Sequence, residues 1–452
     1  PVEMALLGAM ELLLSFAAIY AMAVVPETLG THPFRWLVLD PHSAHNAALL
    51  TASIGLCAVT IGLYRPEICL DRRRLVLNAA VAAVLAFPVA LVVSGQFSTG
   101  FSRTYAIWLA KVLILWIGFA VVSRSVLSRA LRQRLFARPI LVVGAAGAAK
   151  QTAEAIRGGR GKLFELAGLS YALTDVAGMT QEALRRRGIW GVVVATDRLD
   201  VAGPAEAEER QRLLDWRLRG VRVYDDVSFW EQHLGRVNLD RIDAGWFLRA
   251  EGFANGPLSR AVKRLIDIAV SLLLLILTLP LMICTAIVIK LDSPGPILYH
   301  QQRAGLHGQP FTLLKFRSMV ADAEAEGAPR WAAKRDPRVT RIGAFIRSIR
   351  IDELPQLLNV LQGQMSLIGP RPERPHFVAQ LTQVIPFYHQ RSYVKPGITG
   401  WAQVNFPYGA SVEDARAKLS YDLYYVKNRS TFLDLLILIS TVRVILFREG
   451  AR

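Results

Sequence analysis

Apolar residues fill four long runs in the first third of the chain, at 6–25, 47–64, 75–93 and 104–122. Each run has about the length of a membrane-spanning helix. Four such runs in close succession predict a transmembrane bundle over residues 1–130. Arg65 and Arg72 to Arg74 fall between the second and third runs, and Arg124, Arg129, Arg132, Arg134 and Arg138 follow the fourth. The other two loops are poorer in Lys and Arg. The positive-inside rule therefore puts the N-terminus, the Arg72 loop and everything after the fourth run in the cytoplasm. Glu11 and Lys111 lie inside runs and are expected to face the bundle interior, toward each other or a water-filled gap.

From Arg138 to Phe253 the pattern changes to short apolar strands at 140–143, 166–173, 191–196 and 221–224, with helical stretches between them. Alternating strands and helices predict a parallel sheet, a Rossmann-like α/β domain over 138–253. Its first turn, Gly144-Ala145-Ala146-Gly147, carries only part of a dinucleotide fingerprint. Ala146 stands where a glycine would let backbone approach a pyrophosphate, and Asp175 is loosely spaced for a ribose acid. A structural or regulatory domain is the expected reading.

A fifth apolar run, 265–289, is interrupted by Pro280. The proline frees the carbonyl of Ile276, and Thr278 is placed to bond back to the freed backbone. About fourteen apolar residues precede the break, too few to cross a bilayer. Lys263 and Arg264 before the run and Lys290 after it favour one side for both ends. The pattern predicts a helix–break–helix near 263–291 that enters and leaves by the same face. A last apolar stretch, 432–447, contains Asp434 and Arg443 and suits an interfacial helix.

The net charge of +17, with 52% hydrophobic residues, fits a membrane protein that meets anionic surfaces or anionic substrates. No nucleic-acid module accompanies the charge. Cys57, Cys69 and Cys284 suggest neither a disulfide framework nor a metal site.

The candidate chemistry centres on Ile351-Asp352-Glu353-Leu354-Pro355-Gln356. Two adjacent carboxylates stand where a helix is expected to start, with Pro355 tolerable in its first turn and Gly363 as the stop. By itself Asp352 reads as an N-cap and Glu353 as a favourable first-turn charge. Arg347, Arg350 and Arg371 add positive charge close by. Other blocks surround the pair: His300-Gln301-Gln302-Arg303, Lys315-Phe316-Arg317, Gly369-Pro370-Arg371-Pro372 and Lys395-Pro396-Gly397-Ile398-Thr399-Gly400-Trp401-Ala402-Gln403-Val404-Asn405.

From Lys263 onward these blocks, in this order, resemble the bacterial sugar transferases, the monotopic phosphoglycosyl transferases that start exopolysaccharide or O-antigen synthesis. The preceding spans and Rossmann-like section resemble, in layout, the large polyprenyl-phosphate hexose-1-phosphate transferase branch. The resemblance implies a mostly helical monotopic catalytic domain over 255–452, held at the cytoplasmic face of the bacterial inner membrane. It implies transfer of a hexose-1-phosphate from a UDP-sugar to undecaprenyl phosphate, with release of UMP. Asp352 is then the nucleophile and Glu353 its partner, the two serving also as ligands of Mg²⁺ on the diphosphate. Arg347 and Arg371 match the family's phosphate-binding positions. Lys315, Arg317 and Arg303 are further candidates for phosphate contacts. Gln403 and Asn405 are candidates for the nucleotide or sugar, and otherwise form a turn. Trp401 reads as a packing anchor. Two departures stand out. Many relatives carry Ser-Pro at the membrane break where this chain has Leu279-Pro280. Many also have an arginine where Phe406-Pro407-Tyr408 stands. A homodimer is the expected assembly. Rival readings are a nucleotide-sugar oxidoreductase or epimerase on the Rossmann-like section, and a non-catalytic scaffold for polysaccharide assembly.

Overall fold

The computed structural model describes residues 8–20, 41–60, 72–93, 103–132, 138–158, 164–171, 181–195, 213–249, 256–320, 338–406 and 411–446, with single positions 179, 211, 336 and 409. Asp175, Pro407, Tyr408, the Arg65 loop and the stretch 321–333 lie outside them. The chain divides into two compact units, Pro1–Ala195 with Leu199–Val223, and Thr196–Arg198 with Tyr224–Arg452.

The first unit begins with four apolar helices, α1 (Gly8–Tyr20), α2 (Pro41–Thr60), α3 (Arg72–Val93) and α4 (Arg103–Arg132). Small side chains let α3 pack closely, with Ala79, Ala82, Ala83 and Ala86 buried. Large apolar side chains such as Leu13, Val84, Ile114 and Val122 point outward instead. Glu11 is buried and accepts a hydrogen bond from the Ser123 hydroxyl at 2.6 Å. That corrects the expected pairing with Lys111, whose side chain is exposed. A buried carboxylate needs a donor, and a serine on a facing helix supplies one.

A four-stranded sheet has the order β2-β1-β3-β4, formed by β1 (Arg138–Gly144), β2 (Phe164–Ser170), β3 (Gly191–Ala195) and β4 (Arg222–Asp225), of which Arg222 and Val223 belong to the first unit. β1 runs parallel to both β2 and β3. Helix α5 (Ala146–Arg157) follows β1 and buries Ala149, Thr152, Ala153 and Ile156, a single helical face. Gly144 has φ of 143°, and a Cβ there would lie 2.1 Å from the Ala195 carbonyl oxygen. The close approach of β1 to the end of β3 thus accounts for this glycine without a ligand. Gly147, by contrast, faces open space.

In the second unit the stretch from Tyr224 packs on the C-terminal helices. Val237, Leu239, Ile242 and Trp246 share a core with Phe377, Leu381, Leu419 and Leu423. Among the described helices only α6 (Pro257–Asp292) is long and apolar enough to cross a membrane. It is continuous through Pro280, which corrects the expected separation into two helices. A proline removes one hydrogen bond, and the bonds on either side suffice to carry the helix past it. Thr278 donates to the Leu274 carbonyl at 2.7 Å, one turn back, rather than to the freed Ile276 carbonyl. Both ends of α6 are fastened to this same unit. Near its start Asp267 accepts from the Ser366 hydroxyl and the Leu367 amide, both at 3.1 Å. Near its end Ile289 packs with Phe316 and Ile346. Between them Leu273, Ile276, Leu277, Leu279 and Ile283 are each more than half exposed.

Past α6 come the hairpin β5 (Leu298–Ala304) and β6 (Pro310–Phe316), then α7 (Arg341–Ser348) and α8 (Gln356–Leu361). Strand β7 (Ser366–Ile368), α9 (Pro375–Val384), β8 (Gly397–Thr399) and α10 (Trp401–Asn405) follow. Helices α11 (Val412–Lys427) and α12 (Thr431–Leu446) close the unit. A capping box between Ser411 and Asp414 starts α11. The central core gathers Leu313, Leu357, Val360, Met365, Leu367, Val404, Tyr425 and Ile437 from strands and helices distant in sequence.

Candidate active site

Asp352 and Glu353 lie in a single 3₁₀ turn, Ile351–Glu353, between α7 and α8. Arg350 enters the turn with φ of 62°, a left-handed conformation that a non-glycine residue adopts only at a cost of about 1–3 kcal/mol. The Asp352 carboxylate does not cap α8, whose first residue follows Pro355 with no side-chain cap. The capping role that a lone acid at this position suggests therefore does not apply.

Both carboxylates are buried, yet their surroundings differ. Glu353 accepts from Arg371 at 2.7 Å and from Lys315 at 3.2 Å, and Arg350 stands 3.7 Å away. Lys315 arrives on β6, which is tied to α8 by Asn359. The Asn359 side chain accepts from the Leu314 amide at 3.0 Å and donates to the Thr312 carbonyl at 2.8 Å. Burial alone would raise the Glu353 carboxyl, but Arg371, Lys315 and Arg350 outweigh it and hold it well below the usual carboxylate range. The Asp352 carboxylate forms no hydrogen bond or ion pair with any described residue. Burial pushes it up; Lys315 opposes that, Glu353 adds to it, and Arg371 and Arg347 oppose it further. The Arg347 guanidinium, in the last turn of α7, likewise makes no hydrogen bond or ion pair with a described residue. The turn thus presents one clamped carboxylate, one unengaged carboxylate and one uncommitted cation.

This asymmetry sets a pH dependence. Replacing Glu353 by Gln removes the like charge that raises Asp352 and leaves Lys315, Arg371 and Arg347 to act on Asp352 alone. Asp352 then loses its proton at lower pH, so the acid limb of the residual pH–rate profile moves down. Turnover itself falls at least about a hundredfold, because a buried cation cluster loses its counter-charge. An acid limb that stays in place would show that the two carboxylates are not coupled.

The structure puts the other sequence candidates to different uses. Arg317 is buried and turned toward the end of α6. It donates to the carbonyls of Pro294 at 2.9 Å and Ser293 at 2.6 Å and to the Ser293 hydroxyl at 2.8 Å. It is a helix C-cap rather than a phosphate ligand or an exposed basic face. Arg303 donates to the Pro372 carbonyl at 3.1 Å and faces Glu373 at 3.6 Å, so it braces the loop that carries Arg371. The Gln403 amide donates to the Ile398 carbonyl at 3.1 Å, and Asn405 to the Trp401 carbonyl at 3.0 Å. Both are bonds of a local turn. The Trp401 indole donates to the Gly235 carbonyl at 2.7 Å and stacks on Tyr424, an anchor inside the fold.

Two fixings escape a reading by charge alone. Arg264 donates to the Val360 and Leu361 carbonyls at 2.6 and 2.7 Å and caps the helix that follows the acid pair. Lys263 pairs with Asp434 at 2.7 Å, and Asp434 also accepts from Tyr425 at 2.8 Å. The basic residues before the apolar run therefore fasten the start of α6 to α8 and α12. Their signal in the sequence was charge, which does not reveal the distant carbonyls and carboxylate they meet.

No group of three or more metal-ligating side chains occurs among the described residues. Glu353 is engaged by three cations, so the donor set for Mg²⁺ reduces to the unengaged oxygens of Asp352. That fits an ion completed by the phosphate oxygens of a substrate, as Mg²⁺ commonly is.

Residues 258–448 match the family model described as bacterial sugar transferase. The chain is 45% identical over 235 residues to the UDP-N-acetylgalactosamine-undecaprenyl-phosphate N-acetylgalactosaminephosphotransferase of Aeromonas hydrophila, covering 52% of this chain and 55% of that protein. It is 34% identical over 359 residues to the undecaprenyl-phosphate glucose phosphotransferase of Komagataeibacter xylinus, covering 76% and 66%. It is 32% identical over 360 residues to the UDP-glucose:undecaprenyl-phosphate glucose-1-phosphate transferase of Escherichia coli, covering 76% of both chains. The match thus spans just over half of the Aeromonas protein and about two thirds of the Komagataeibacter one. With the acid pair, its cations and the glycine-rich blocks all inside the matched region, the chain belongs to the bacterial sugar transferase family.

Proposed function

We propose that this chain transfers a sugar-1-phosphate from a UDP-sugar to undecaprenyl phosphate, with Asp352 as the attacking group. The carrying observation is the buried Asp352 carboxylate that no described residue engages, next to a Glu353 held by Lys315, Arg350 and Arg371. The names of the relatives support the same donor and acceptor classes.

An Asp352 oxygen attacks the sugar-bearing phosphorus. The bond from that phosphorus to the bridging diphosphate oxygen breaks, and UMP leaves with the electron pair. A phosphate oxygen of the lipid then attacks the same phosphorus, the aspartyl–phosphorus bond breaks, and the carboxylate is restored. Splitting the transfer in two replaces one hard displacement between anions by two easier ones. Arg347, which bonds to no described residue, is placed to bind phosphate oxygens. Arg371, Lys315 and Arg350 hold Glu353 charged beside the reacting carboxylate. Mg²⁺, held by Asp352 and the diphosphate, would supply charge neutralisation on the leaving phosphate. Chromatography of the nucleotide product tests the reaction type. UMP is expected; UDP would mean breakage at the sugar carbon and would end the proposal.

The same reading includes a membrane arrangement. The first four apolar helices form a transmembrane bundle, and α6, continuous but bent at Pro280, dips into the cytoplasmic leaflet and returns. A 36-residue helix spans about 54 Å when straight, yet both its ends are fastened to one compact unit while its middle is exposed and apolar. An arm that leaves and rejoins one face satisfies that, and it keeps Asp352 where a lipid phosphate and a cytoplasmic nucleotide meet. Single cysteines at Gln301 and Asn255, on a background lacking the native three, should be labelled only from the cytoplasmic side of oriented vesicles. Labelling of the Gln301 site from the opposite side would mean a complete crossing.

A further inference from the structure

The segment Arg371-Pro372-Glu373 is held at three consecutive carbonyls. The Arg391 guanidinium donates to the Arg371 carbonyl at 3.0 Å, Arg303 to that of Pro372 at 3.1 Å and the Ala304 amide to that of Glu373 at 2.8 Å. Arg391 is itself buried, in the turn Tyr388–Tyr393. It donates to the Tyr388 hydroxyl at 2.8 Å and is paired with Asp422 of α11 at 2.7 Å. Asp422 is almost wholly buried. A planar guanidinium fixed by a phenol on one side and a carboxylate on the other has little freedom. Its remaining reach ends on the backbone of the residue whose side chain engages Glu353.

We infer that Arg391, locked by Asp422 and Tyr388, is a positioning residue: it fixes the backbone of Arg371 so that the Arg371 guanidinium meets Glu353. Arg391 makes no contact with either carboxylate of the acid pair and acts through Arg371 alone. A lysine at this position keeps a positive charge opposite Asp422 but lacks the fork that reaches Asp422, Tyr388 and the carbonyl together. Asp422→Asn leaves Arg391 in place and loosens its hold.

The inference rests on the proposed phosphosugar transfer for its kinetic reading, so the test has an arm that needs no turnover. In the full chain, Arg391→Lys and Asp422→Asn are each made alone and combined with Arg371→Ala. With a UDP-sugar and undecaprenyl phosphate, each single change should lower kcat by about tenfold or more with KM for the UDP-sugar within about threefold of wild type. On the Arg371→Ala background the same changes should alter kcat by less than about twofold, because the residue through which they act is gone. A merely structural role would give the same fractional loss on both backgrounds, and that result would overturn the inference. The second arm is an experimental structure of Arg391→Lys. The Arg371–Glu353 contact, 2.7 Å here, should be lost or displaced. An unchanged contact in the folded Arg391→Lys variant rejects the inference even if the wild-type chain proves to catalyse a different reaction.

Discussion

Asp352→Asn is expected to abolish turnover while leaving thermal unfolding within a few degrees of wild type. The amide keeps the size of the side chain but cannot attack phosphorus. Loss of a covalent nucleophile typically removes a factor of about 10⁴ to 10⁶ from kcat. The fold should tolerate the change because no described residue bonds to the Asp352 carboxylate. Burial already pushes that carboxyl up, so a neutral amide removes a desolvated charge rather than an ion pair. Nucleotide release from a UDP-sugar and a melting curve of the same preparation check both halves. Full activity would remove Asp352 from the mechanism. Unfolding of the variant would show that the carboxylate has a structural role.

The opposite profile is expected at Gly397, with the fold lost first. Two backbone segments cross there with no room for side chains. The Gly369 amide donates to the Thr399 carbonyl and the Gly397 amide to the Pro370 carbonyl, both at 2.9 Å. A Cβ on Gly397 would lie 2.1 Å from the Gly369 nitrogen, and one on Gly400 would lie 2.2 Å from the Gly369 carbonyl oxygen. Backbone cannot rotate aside as a side chain can. Gly397→Ala should therefore destabilise the second unit by about 3 kcal/mol or more. Activity should fall with it, since Arg371 follows the crossing by two residues. Gly147→Ala is the matched control. A Cβ there meets nothing within 4 Å, and alanine in a helix is favoured over glycine by about 0.5–1 kcal/mol. Thermal unfolding of both variants in the same detergent separates the cases, and a Gly397→Ala protein as stable as wild type would contradict the crossing.

The acid pair, Arg371 and Arg347 were legible in the sequence because their chemistry is their spacing: two adjacent carboxylates within reach of several cations. The long apolar helix and the parallel sheet were legible through their periodicities. What the sequence does not carry is the destination of each basic side chain. Arg317 and Arg371 look equally suited to phosphate, yet Arg317 ends on three carbonyls and a hydroxyl at the foot of α6, or the turn after it, while Arg371 ends on Glu353. Charge gives a residue's partners in general, and only the tertiary path decides between a carbonyl and an anion. Pro280 shows the same limit from the other side. A proline signals one lost hydrogen bond, but whether the helix ends there depends on the turns around it, and here it continues. Glu11 was read against Lys111 because both are charged, whereas Ser123, a residue with no charge to mark it, donates to Glu11.

The proposed transfer passes through a covalent bond between Asp352 and the transferred phosphosugar. The most direct measurement incubates the full chain with a UDP-sugar in the absence of undecaprenyl phosphate and records the intact-protein mass. A mass gain of one sugar phosphate is expected, located on the peptide containing Asp352, absent from Asp352→Asn and discharged when undecaprenyl phosphate is added. An active wild-type enzyme that never carries the adduct, or carries it on another residue, would contradict the proposed transfer.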